Sequence, residues 1–74
     1  MPRYFFHVQD GRDRPDYEGV ELSGPDEARS QAVIACGEAL KDLDGVFWEI
    51  GEWTMRVTDV TGAVVCVLKF SGTL

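Results

Sequence analysis

Seventy-four residues, 45% of them hydrophobic, allow one small domain spanning 1–74 and exclude a disordered chain. The net charge of −6 repels phosphate backbones and anionic lipid surfaces, so neither nucleic acid nor a membrane is expected as a partner. No apolar run approaches the roughly 20 residues of a membrane helix.

The first predicted element is RYFFHVQ, residues 3–9, dense in aromatic and β-branched side chains and ending at Asp10-Gly11. Alternation along a strand places Tyr4, Phe6 and Val8 on a core face and Arg3, Phe5, His7 and Gln9 on the other. DGRDRPD reads as a polar loop. YEGVEL, residues 17–22, reads as a shorter strand with Val20 and Leu22 on one face, paired antiparallel with the first. Gly19 inside it points to a bulge or a close backbone approach.

Ser23-Gly24-Pro25-Asp26 then starts a helix. Ser23 is the expected cap, with Asp26 in a weak capping-box position, and Pro25 suits the first turn. Ala28, Ala32, Ala35, Cys36, Ala39, Leu40 and Leu43 recur at three- and four-residue steps as one stripe, and Gly45 is the expected terminator. Ile34 falls on the opposite, polar side. Residues 44–52, DGVFWEIGE, fit a short strand, an extra helical turn or a plug at one end of the core. Partial burial is common to all three.

WTMRVTDVTGAVVCVLKF reads as strand, turn, strand. Asp59 and Gly62 suit a type I turn followed by a left-handed glycine, which sets Asp59 opposite Ala63. An unbroken ladder then pairs Val57 with Val65, Met55 with Val67 and Trp53 with Lys69 as the core face. It leaves Val64, Cys66, Leu68 and Phe70 on the face away from the helix, together with Phe5 and His7. One helix cannot cover both faces, and a solvated face should alternate to polar residues. Phe5, His7, Val64, Cys66, Leu68 and Phe70 are therefore the candidate interface, for a second copy or another protein. The predicted fold is α+β, a two-layer β-β-α-β-β arrangement with a four-stranded, mainly antiparallel sheet and one helix on one face.

Residues with chemistry are few. His7 is the only histidine, and a general base needs a positioned partner that the sequence does not display. A strand histidine bonding locally is the plainer reading. Asp10, Asp13, Asp16 and Glu18 crowd one loop, yet match no EF-hand spacing, and Arg12 and Arg14 offset their charge. Cys36 and Cys66 read as reduced, buried small hydrophobes. Two cysteines and one histidine supply no chelating pair for zinc. Trp48, Trp53 and Arg56 could stack a base or sugar, but a small core needs such large side chains. Phosphate-binding glycine loops are missing from the sequence. Neither a metal nor a cofactor is expected.

The opening RYFFH, then Asp16-Tyr17-Glu18-Gly19-Val20-Glu21-Leu22, an alanine-rich helix and a closing Val57-Thr58-Asp59 with Gly62 resemble a family of short bacterial proteins. Those proteins begin M-x-R-Y-F-F-H, run through D-x-x-G-x-E-L and end in a V-x-D-x-x-G hairpin. The family is abundant in rhizobia and related alphaproteobacteria and is a domain of unknown function. The resemblance implies a small stand-alone protein and supplies no catalytic residue.

Met-Pro-Arg-Tyr lacks the basic and apolar regions of a secretory leader, so a cytoplasmic location is expected. The expected role is a non-enzymatic interaction module, dimeric through the second sheet face or through strand edges. The alternative is an antitoxin-like or nucleic-acid-associated regulator, by analogy of fold alone.

Overall fold

The computed structural model describes all residues 1–74. Its strands are β1 (Arg3–Gln9), β2 (Asp13–Arg14), β3 (Val20–Glu21), β4 (Glu52–Thr58) and β5 (Val64–Ser71), and its helices are α1 (Pro25–Leu43) and α2 (Val46–Ile50). All strand pairs are antiparallel. The long strands run β1-β4-β5, and both short strands lie on the far edge of β1. The α+β architecture is the expected one. The loop expected at 10–16 contributes a fifth strand, because Asp13 and Arg14 pair with Gln9 and Val8.

The core is small and built from short side chains on the helix and large ones on the sheet. Ala28, Ala32 and Cys36 of α1 meet Tyr4, Trp53, Met55 and Val57, with Leu22 beside them. Alanine lets α1 lie close to β4 and β5, on which it packs. The Cys36 thiol sits 3.6 Å from the Met55 thioether. Trp53 is 1% exposed and meets the Phe70 ring edge-on at 6.0 Å. Such an aromatic pair adds about 1 kcal/mol beyond the area it buries.

Both ends of α1 differ from expectation. Gly24, not Ser23, is the N-cap residue, with no side-chain bond to the helix. Glu27 reaches back instead, its Oε1 accepting the Ser23 N–H at 2.8 Å. The bond goes to the residue before the cap, not to the N-cap N–H as in a capping box, and Asp26 is left to pair with Arg29. At the other end the helix stops at Leu43. Asp44, with φ of 48°, takes the cap position, and Gly45 begins α2 rather than ending α1. Residues 46–50 are thus an extra helical turn. Phe47 packs against the core, while Trp48 is half exposed.

The β4–β5 hairpin contains the main correction. The turn is as expected: Asp59 N–H bonds to Ala63 O and Gly62 N–H to Asp59 O, both at 3.0 Å, with Gly62 at φ 87°. The ladder then slips by one residue. Thr58 pairs with Val64, but Val57 pairs with Cys66, leaving Val65 as an extra residue. From there Met55 faces Leu68 and Trp53 faces Phe70. A one-residue slip exchanges the two faces of a strand. Cys66, Leu68 and Phe70 therefore lie on the helix side, and Val67 and Lys69 face away. The physical reason is Lys69. In the unbroken register its ammonium would lie opposite the buried Trp53, and Leu68 and Phe70 would be left to solvent. Burying an unpaired charge is far costlier than one bulge.

Candidate functional site

The two edges of the sheet carry the features that bear on function. The edge beside β1 is closed by a side chain. β3 pairs with Arg3 and Tyr4, and β2 pairs with Val8 and Gln9. Between them the Phe6 N–H has no strand to bond. The Asp16 carboxylate fills the gap: Oδ2 accepts from Phe6 at 3.1 Å, and Oδ1 accepts from Glu18 and Gly19 at 3.0 and 3.1 Å. An aspartate bonding its own chain two residues on is an Asx turn. Burial pushes the Asp16 carboxyl up. The N–H groups of Gly19, Phe6 and Glu18, with His7 nearby, outweigh that and hold it below its ordinary value.

Gly19 makes this closure possible. Its φ is 70°, and an added Cβ would lie 2.8 Å from the Tyr4 carbonyl oxygen and 2.9 Å from the Phe5 ring. Only glycine admits the strand at this distance. Arg3 completes the seal by donating to the Glu18 carbonyl at 2.6 Å and pairing with Glu21.

His7 belongs to the same closure. Its Nδ1 accepts the Asp16 main-chain N–H at 3.1 Å, so the ring proton resides on Nε2, which donates to Thr58 Oγ1 at 2.9 Å. Thr58 is the one buried polar residue, and this bond satisfies it. Both ring nitrogens are occupied within the fold, and Asp16 offers His7 its backbone rather than its carboxylate. That geometry positions a loop; a general base needs a free nitrogen. The Phe5 and His7 rings are near-parallel with centroids 6.4 Å apart.

The outer face of the sheet is more polar than expected. His7, Gln9, Thr54, Arg56 and Val67 line an open depression of about 260 Å³ with Asp13 at its rim. The loop carboxylates are spent locally. Asp10 pairs with Arg14, Asp16 closes the edge, and nowhere do three His, Cys, Asp or Glu side chains converge. At the hairpin, Asp59 Oδ1 accepts from the Thr61 hydroxyl at 2.6 Å and from the Thr61 and Ala63 N–H groups. The Thr61 hydroxyl, against slight burial and with the Thr61, Ala63 and Gly62 N–H groups, lowers the Asp59 carboxyl. Burial, with Cys66 nearby, pushes the Cys36 thiol up to about 11, which makes it a poor nucleophile.

The edge beside β5 is open. Its eight residues, VVCVLKFS, contain no proline and one charge, and no strand pairs with the outer side. Val64 is 56% exposed, Val67 46% and Phe70 38%.

The six residues expected to share one interface are split by this geometry. Phe5, His7 and Val64 are on the outer face; Cys66, Leu68 and Phe70 are on the helix face, because of the bulge at Val65. What they share is proximity to the β5 edge for the last four. Sequence reasoning missed Asp16 and Thr58 as the partners of His7. The Asp16–Gly19 spacing, D-x-x-G, carried the signal of an Asx turn, while the Thr58 contact spans 51 residues and has no local signature.

A family description matches residues 3–71, nearly the whole chain. The chain belongs to the family described as Domain of unknown function (DUF6894). The DUF6894 match takes in both edges, from the closure at Arg3 to the last residue of β5. No curated protein and no solved structure matches the chain. No helix is long and apolar enough to cross a membrane.

Proposed function

We propose that the protein is a non-enzymatic interaction module that self-associates through the β5 side of its sheet. The observation that carries this reading is the open, apolar, eight-residue edge of β5. An unpaired strand edge of this length is a template for another chain, and proteins that stay monomeric blunt such edges with charge, proline, bulges or a covering loop. Here one end of β5 has a bulge and the rest has only Lys69. The occupied nitrogens of His7 and the inert Cys36 support the non-enzymatic part. Of the two routes expected from the sequence, the second sheet face and the strand edges, the edge is the better supported, because the outer face is largely polar.

Sedimentation or light scattering tests the reading. The protein should show twice the mass of one chain at micromolar concentration. Val67→Pro should return it to one chain with its circular dichroism unchanged, since proline removes an N–H that points outward. A monomer throughout the micromolar range contradicts the reading.

A further inference from the structure

We propose that two copies pair β5 with β5 antiparallel about a two-fold axis at Leu68, joining their sheets into one. This rests on the self-association reading and deepens it by naming the strand, the register and the contacts.

The backbone sets the first condition. Gly72 N–H bonds to Gly51 O at 3.0 Å across the β4–β5 ladder. Antiparallel pairing alternates, so Phe70, Leu68 and Cys66 turn their N–H and C=O groups to β4, and Val67, Lys69 and Ser71 turn theirs outward. An occupant must therefore be an extended strand offering matching groups, which a second β5 does.

Side chains then choose among two-fold registers near the strand's middle. An axis at Lys69 sets two ammonium groups directly opposite, which destabilises a pair. An axis at Val67 requires the bulged Val65 to pair with Lys69 of the second copy, where the regular ladder is already broken. An axis at Leu68 avoids both. It uses the regular stretch from Cys66 to Phe70, sets Leu68 against Leu68, Cys66 against Phe70, and Lys69 against Val67. All helix-side contacts are then apolar.

The helices supply an independent fit. A two-fold axis perpendicular to the sheet puts both α1 helices on the same face. The flank of α1 turned to β5 carries Leu40, which lines with Phe47 and Phe70 an open depression of about 440 Å³. Val33, seven residues before Leu40 and on the same flank, is 61% exposed. Nothing within one chain covers it, and a second sheet and helix alongside would.

Disulfide trapping tests the register. In Cys66→Ser/Leu68→Cys, oxidised glutathione should convert most of the native chain to a disulfide dimer, and in urea at the same concentration that yield should fall at least tenfold. Leu68 is half-buried, so a second variant guards against misfolding. Phe70→Cys in the presence of Cys66 should also give a covalent dimer. Within one chain these two cysteines are about 13 Å apart along the strand, beyond disulfide reach. Light scattering on the unoxidised wild type separates the failures. A native dimer that neither variant traps overturns the β5 register and leaves self-association standing. Trapping of Cys66→Ser/Val67→Cys in preference to Leu68→Cys also overturns it. A monomeric wild type overturns both proposals.

Discussion

The two edges of one sheet are treated in opposite ways. Beside β1, a short loop folds back, and its Asp16 carboxylate and Gly19, met by Arg3 and His7 of β1, close three residues of backbone. Beside β5, eight residues of backbone are left uncovered. Both edges face the same water, so the difference reflects what each must avoid or accept. The Asp16 carboxylate replaces a strand at Phe6 and denies that edge to other chains. The β5 edge carries no such device beyond Lys69 and the bulge.

The comparison can be broken from the closed side. The largest effect is expected for Gly19→Ala, which forces a side chain against the Tyr4 carbonyl in a left-handed backbone. It should cost about 3 kcal/mol in urea unfolding, and an unchanged midpoint would show that the loop does not press on β1. Asp16→Ala removes the acceptor of three N–H groups and should cost about 2 kcal/mol. His7→Ala strands the Thr58 hydroxyl and the Asp16 N–H, for about 1.5 kcal/mol in the same assay.

A smaller, pH-dependent effect has a definite sign. The Asp16 carboxyl is held below its ordinary value of 3.8. Its contribution is complete above the unfolded-state value and disappears as pH falls through the lower folded value. Acid titration of stability should therefore fall below about pH 4, and Asp16→Asn should flatten that limb. Asp59 is shifted in the same direction, so the limb should flatten without vanishing. An Asp16→Asn titration parallel to that of the wild type contradicts the closure.

Local signals made most of the fold legible. The RYFFH alternation put Tyr4 in the core, and the alanine stripe gave the buried face of α1. Asp59 and Gly62 gave the hairpin turn correctly. The register beyond the turn was not legible, because a bulge at Val65 leaves no mark in a run of Val-Val-Cys-Val. Only the cost of burying Lys69 hints at it, and that weighs in once the helix is known to lie over β5. The candidate site divided in the same way. His7 was found, while its partners Asp16 and Thr58 meet it only through the fold.

The most direct measurement is amide hydrogen exchange at Phe6, Val67 and Lys69 over a dilution series. The closed edge predicts that the Phe6 N–H is protected at every concentration. The open edge, paired only with a second copy, predicts that Val67 and Lys69 exchange rapidly in dilute solution and become protected as concentration rises through the dimer transition. Fast exchange of Val67 and Lys69 at all concentrations, with Phe6 protected, would contradict the central claim that β5 is the edge the protein uses.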